Sequence, residues 1–326
     1  MPDAQICLLD NVRLSNGQEC LRNYYTDIVS RDPQKAFELL NDHRLSFSTL
    51  YVLRHDLEDL TSSLSLNPLY GSALRLTILL SGSRGNQTEA EIRSGGSNTE
   101  MVLNWMLKTG YRDEALGQSY DTLMDNVAAL LVKSFKSHLA LYETADLIFM
   151  RHRSGKEIHD LIWAFFEACS PESLFFIAKR LSSSYSTEVT LAKKLLHFVP
   201  TISKDTDSAS AYSNTWRWLS ENLPFLYYSG ESLNLSPLPE YYILSLACKY
   251  LCHRVSPKTG HPLKALTYIE QKLSNAFTDL PDHIQVRLAD FSYTLFRENT
   301  YKWSMWITLP ITQQVSIAVP GSGVFK

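Results

Sequence analysis

Residues 157–200 read EIHDLIWAFFEACSPESLFFIAKRLSSSYSTEVTLAKKLLHFVP, and this stretch decides the fold. It holds three apolar segments separated by short polar breaks. In the first, Ile158, Leu161, Ile162, Phe165 and Ala168 recur at the three-to-four residue spacing of one helical face. That helix runs out near Cys169. Ser170-Pro171 then places a hydroxyl before a proline, which suits a first helical position because its missing N–H has no partner to lose there. A second helix is expected from Pro171 to about Leu181. A third, from about Thr187 to Val199, carries Val189, Leu191, Ala192, Leu195, Leu196, Phe198 and Val199. It is apolar around much of its girth, as suits an inner helix covered on two sides. Links of a few residues leave consecutive helices antiparallel.

The same periodicity extends outward. Tyr120, Leu123, Met124, Val127, Leu130 and Leu131 draw one stripe; Ile284, Leu288, Phe291 and Leu295 draw another. Ile243, Leu246, Ala247, Tyr250 and Leu251 also read as a helical stripe. Asp32-Pro33 and Asn67-Pro68 mark helix starts, with Leu280-Pro281 and Leu238-Pro239 as looser versions. Ser15–Gln18, Ser97–Glu100 and Ser154–Glu157 have the spacing of a capping box. About a dozen helices of roughly 10–20 residues are expected. The chain has only 13 glycines, too few for the turns of an all-β protein.

Residues 170–200 resemble a HEAT/armadillo-type helix pair. Ala192 would be the small residue at the crossing, followed by Leu195-Leu196 and the closing Pro200. The resemblance implies an all-α, irregular α-solenoid of antiparallel helix pairs, although no strict period repeats along the chain. Residues 1–200 form its N-terminal helical-repeat region, with a mobile, Gly-rich insertion at 81–98 that holds a short helix. Residues 201–210 read as a linker, 211–306 as a C-terminal helical region with a long irregular loop at 229–239, and 307–326 as an extended tail. In that tail Val315, Ile317 and Val319 alternate between two prolines.

The 326 residues carry a formal net charge of −3 and are 44% hydrophobic, within the globular range. A dedicated nucleic-acid binder usually shows a basic excess, because phosphate neutralisation supplies most of its affinity. Nucleic acid is therefore not the expected partner, although a local basic patch can hide inside a balanced total. No apolar run approaches the roughly 20 residues that cross a bilayer, and the N-terminus lacks a secretory pattern. The five cysteines, Cys7, Cys20, Cys169, Cys248 and Cys252, are odd in number and scattered, unlike a disulfide framework. A cytoplasmic protein without membrane attachment is the expectation.

Two regions are candidate binding sites. Arg151, Arg153 and Lys156 form a basic loop ahead of His159, Asp160 and Trp163, and the start of a helix with basic flanks can hold an anion. The ordinary alternative is a solvated link between helices. Trp216, Trp218, Tyr227 and Tyr228, with Phe225 between them, form an aromatic group of the kind enriched at binding hot spots. Residues 216 and 218 cannot both face inward on one helix, so one of these tryptophans should be the more exposed. Cys248, Cys252 and His253 share metal-compatible spacing, but no second ligand pair follows and buried cysteines are common, so no metal and no cofactor is expected.

No nucleophile elbow, zinc-protease, phosphate-loop or dinucleotide motif is present. The leading reading is a non-enzymatic scaffold that binds a protein or peptide. One alternative is a DNA glycosylase-like helical-repeat protein using the basic loop. A second is an enzyme or metal protein whose site is assembled from distant helices.

Overall fold

The computed structural model describes residues 6–58, 66–82, 86–202 and 208–319. They are all-α apart from one two-stranded hairpin. The chain forms two compact units, Met1–Ala168 and Cys169–Lys326.

The first unit contains α1 (Leu8–Arg31), α2 (Pro33–Leu40), α3 (Phe47–Glu58), α4 (Pro68–Gly82), α5 (Asn86–Ser94), α6 (Gly96–Gly110), α7 (Gln118–Lys133), α8 (Leu141–Arg153) and α9 (His159–Glu167). Neighbours in chain order supply much of the packing: α1 on α2 and α3, α6 on α7, α7 on α8 and α9. α7 shows why the sequence folds this way. Of the stripe read from the periodicity, Tyr120, Leu123, Met124, Val127 and Leu131 are buried and Leu130 is half-buried, while Ala128 joins the buried face. α2 starts as the sequence indicates, with Pro33 in its first turn and the Asp32 side chain accepting from the Lys35 N–H. Asn67 does the same for α4, accepting from the Leu69 N–H at 3.0 Å.

None of the three expected capping boxes forms. Ser97 lies inside α6, whose N-cap is Gly95 and whose first turn has no side-chain cap. Ser154 closes α8 instead of opening α9, because its N–H bonds back to the Met150 carbonyl and its hydroxyl accepts no helix amide. Ser15–Gln18 lies inside α1, where Gly17 breaks the helix with a φ of 87°. The insertion expected at 81–98 holds α5 and the first residues of α6; its residues 83–85 lie outside the described residues.

The second unit contains α10 (Leu174–Ala178), α11 (Ser186–Leu195), α12 (Ser208–Asn222), β1 (Leu226–Tyr228), β2 (Tyr242–Leu244), α13 (Leu246–Tyr250), α14 (Tyr268–Thr278), α15 (Asp282–Glu298), α16 (Thr300–Trp306) and α17 (Ile311–Ala318). A helix pair forms over 171–195, with 3-10 turns flanking the short α10 and Ala192 fully buried; α11 ends at Leu195, four residues before the expected end, and 196–199 are turn. Both α10 and the 3-10 turn after it pack on α12. The 201–210 segment thus runs within this unit; its residues 203–207 lie outside the described residues.

Three further segments differ from expectation. The stripe expected at 243–251 is an antiparallel strand followed by the short α13, with Tyr227 paired to Ile243. Leu238-Pro239 accordingly sits in the loop of a hairpin and starts no helix. The tail expected to be extended forms α17 over Ile311–Ala318, preceded by Pro310 at its N-cap. Val315 and Val319, four apart, are buried, whereas Ile317 is 48% exposed, so the burial follows a helical period and not a strand's.

A capping box does form where none was expected. The Thr267 hydroxyl accepts from the Glu270 N–H, and the Glu270 carboxylate accepts from the Thr267 N–H at 2.8 Å. His253 Nε2 lies 2.8 Å from the other Glu270 oxygen. The His253 contact above all, helped by the Thr267 bonds, holds the Glu270 carboxyl below its ordinary value of 4.5. A carboxyl lowered on folding stabilises above its ordinary value, and that contribution is lost as pH falls through the lowered one. Glu270→Gln should therefore cost about 1 kcal/mol at pH 7. Thermal melts of the two proteins should converge as pH drops toward 3.

Candidate functional site

The basic loop does not present a basic patch. Arg151 is buried, only 1% exposed, beneath α7. Its Nη1 lies 2.7 Å from Asp121 Oδ1, off the hydrogen-bond axis, so that contact is charge pairing and not a directed bond. Its Nε donates to Asp125 Oδ1 at 3.0 Å. Lys156 is half-buried and reaches the other Asp121 oxygen at 2.5 Å. Arg153 is exposed at the end of α8. Trp163 is exposed on α9, with Lys133 Nζ 3.9 Å from its ring centroid. Beside the loop lies a cleft of about 550 Å³ between α7 and residues 156–161. Its walls include Glu114, Asp121, Asp125, Glu157 and Asp160 against the single cation Lys156. Burial pushes the Asp125 carboxyl up in spite of the neighbouring Arg151. The cleft is acidic, which removes the reason to place an anion there.

The aromatic group divides. Trp216 is 41% exposed on α12. Its ring centroid lies 4.4 Å from that of Phe175 on α10 and 5.6 Å from that of Tyr212, one turn back on α12. Phe175 and Tyr212 are half-buried, so the three rings form a surface ladder with Trp216 outermost. Trp218 points elsewhere, as two residues on a helix require. It is half-buried against Phe198, which in turn meets Tyr242, and Tyr242 meets Tyr228. Trp218 and Tyr228 thus belong to an inward chain of rings. Tyr227 lies under the turn at Gly260.

Cys248 is buried with Phe225 and Val255 in a small apolar cluster. Cys252 is half-buried, its sulfur 3.9 Å from the Ser292 hydroxyl, and burial pushes its thiol up to about 12. His253 is engaged by Glu270. Among the described residues no group of three or more His, Cys, Asp or Glu side chains could hold a metal ion.

The structure also assembles polar sites that no local pattern announces. Arg13 of α1 pairs with Asp113 and donates to Thr49 of α3, while Thr49 and Ser46 bond Asp10. A cavity of about 470 Å³ opens there, walled by Arg13, Ser48, Lys108, Tyr111, Arg112 and Tyr142. Its parts come from four separated segments, so neither spacing nor periodicity could have joined them. No family model, curated protein or solved structure matches the chain.

Proposed function

We propose that the chain is a non-enzymatic scaffold of irregular, HEAT/armadillo-like helix pairs that binds a protein or peptide through the aromatic ladder at Trp216. The observation that carries this reading is the exposed Trp216 ring, held by Phe175 and Tyr212 on α10 and α12. A tryptophan left at the surface but fixed on two sides offers a large apolar contact at little further loss of side-chain freedom, which is how hot spots reach high affinity. The solenoid character is supported by helices that pack largely on their chain neighbours within each unit. No helix among the described residues is long and apolar enough to cross a membrane.

The test is peptide selection by display against the whole protein, followed by titration of the winning sequence. Trp216→Ala should weaken binding at least about tenfold, the usual scale for a hot-spot residue. Trp218→Ala serves as the comparison, and its effect on binding should be smaller. Peptides that bind equally well to the Trp216→Ala protein would remove the reading.

A further inference from the structure

We infer that the excursion at residues 253–272 of the second unit docks on an anionic lipid surface, with cations on the headgroups and Leu263, Tyr268 and Ile269 at the acyl boundary.

The stretch HRVSPKTGHPLKALTYIEQK holds Arg254, Lys258, Lys264 and Lys272 against the single acid Glu270, in a chain whose total charge is −3. All four cations are exposed. Among the described residues none of them makes an ion pair, and Lys272 lies over the Tyr268 ring at 4.5 Å. Glu270 is itself engaged by His253 and by the cap of α14. The excursion therefore presents four exposed cations that no ion pair among the described residues neutralises.

The apolar side chains of the same stretch are as unusual. Leu263 is 60% exposed, and Tyr268 and Ile269 are each 70% exposed. Hairpin geometry places them with the cations. Val255 pairs with Pro262, and the Leu263 N–H bonds to the Arg254 carbonyl at 2.9 Å, so Arg254 and Leu263 stand opposite each other. Val255 faces the core, so its neighbours Arg254 and Leu263 face outward. The contact from His253 to Glu270 brings the first turn of α14, with Tyr268 and Ile269, to the base of the same hairpin.

The support is rigid. Val255 is anchored in the Phe225–Cys248 cluster, its N–H bonds to the Pro224 carbonyl, and the Tyr228 N–H bonds to the Pro257 carbonyl. At the tip, Gly260 has a φ of 72°, and a Cβ there would fall 2.9 Å from the Tyr227 ring. Only glycine satisfies both conditions, so the tip rests on Tyr227. A preformed tip loses little freedom on docking.

Cations alone would fit any polyanion. Three large apolar side chains beside them have no role on a phosphate backbone, but they fit the interface of a bilayer, where tyrosine and lysine are at home and apolar side chains enter the acyl boundary. Such a surface lies on the membrane and needs no spanning helix.

The test is co-sedimentation of the full chain with vesicles in 0.1 M salt. Vesicles of 30% phosphatidylserine in phosphatidylcholine should bind at least tenfold more protein than pure phosphatidylcholine, and 0.5 M salt should release it. Each exposed cation contributes about fivefold near an anionic surface. The triple variant Arg254→Glu, Lys258→Glu, Lys264→Glu should thus lose at least tenfold. Leu263→Ser with Ile269→Ser should also weaken binding, at unchanged charge. All five positions are exposed, so both variants should keep the wild-type far-ultraviolet spectrum; if either does not, Lys258→Glu alone, at the tip, should still lose several-fold. No binding to either vesicle, equal binding to both, or binding only to a labelled thymidine 20-mer in a parallel titration would overturn the inference.

Discussion

Replacing Arg151 by methionine should destabilise the first unit by about 3 kcal/mol, near the lower end of what is lost when one partner leaves a buried ion pair. The replacement keeps length and apolar stem but leaves two carboxylates behind. Asp121 is 6% exposed and retains only Lys156 as a cation, which is why the cost should not reach the upper end of the range. Asp125 loses the guanidinium altogether. Burial already raises the Asp125 carboxyl with Arg151 in place, so in the variant it should rise further. A carboxyl raised on folding stabilises at low pH, and that contribution is lost as pH rises through the raised value. The deficit measured by urea unfolding should therefore be larger at pH 8 than at pH 5. Removing the whole cluster gives the complementary result. Arg151→Met combined with Asp121→Leu and Asp125→Leu should recover most of the loss, because the one charge then left without its partner, Lys156, is 34% exposed and can turn to water. A single variant as stable as the wild type at pH 8 would mean that solvent reaches the pair.

Arg151 also marks where sequence reading stops. The α7 stripe was legible because Tyr120, Leu123, Met124, Val127 and Leu131 all report the same face by spacing. The pair over 171–195 is legible for the same reason, though not where it ends. A charged residue carries no such register. Arg151 and Arg153 look alike in a row of letters, yet one is inside and the other outside. What decides between them is Asp121 and Asp125 on the neighbouring helix, about thirty residues earlier in the chain. An arginine two residues from another cation reads as half of a patch, but it is half of a bridge.

The strands fail for a different reason. Tyr242, Ile243 and Leu244 are three apolar residues followed at once by α13, and a short apolar run does not distinguish strand from helix. Their hairpin is closed by a loop of 229–241, far longer than the two-residue turns that leave a signature in sequence. The exposure of Trp216 followed from the two-residue offset to Trp218, but that Phe175 would brace it did not, because the bracing ring comes from another helix. The positive stretch at 253–272 was fully visible as composition. The net charge of the whole chain hides it, because a local field depends on which cations lack a nearby partner.

Replacing Gln314 by leucine should cost roughly 3–5 kcal/mol, because each buried polar group left without a partner costs about 1–3 kcal/mol. Gln314 is fully buried. Its Oε1 accepts from the Tyr250 hydroxyl at 2.6 Å, and its Nε2 donates to the carbonyls of Ile307 at 3.0 Å and Leu309 at 2.8 Å. One amide thus satisfies the end of α16, the turn before Pro310 and a tyrosine of α13. Leucine has nearly the same volume and strands all three groups at once. Burial has already pushed the Tyr250 hydroxyl up to about 12, so ionisation offers it no escape. The double variant Gln314→Leu, Tyr250→Phe isolates the tyrosine share, and it should be more stable than Gln314→Leu alone, since one stranded group is gone. The loss should appear in urea unfolding of the whole chain and as faster hydrogen exchange over 307–319. Gln314→Glu gives the sharper contrast: it keeps an acceptor for Tyr250 but puts a carboxylate oxygen against two carbonyls, so its penalty should shrink at low pH, where the acid can donate again. The same amide explains why the alternation of Val315, Ile317 and Val319 misled. Those three residues fit either a strand or a helix, whereas a glutamine that must reach back seven residues to Ile307 and five to Leu309 can do so only if the chain has turned on itself at Pro310. A Gln314→Leu protein as stable as the wild type would show that α17 is held by its apolar face alone.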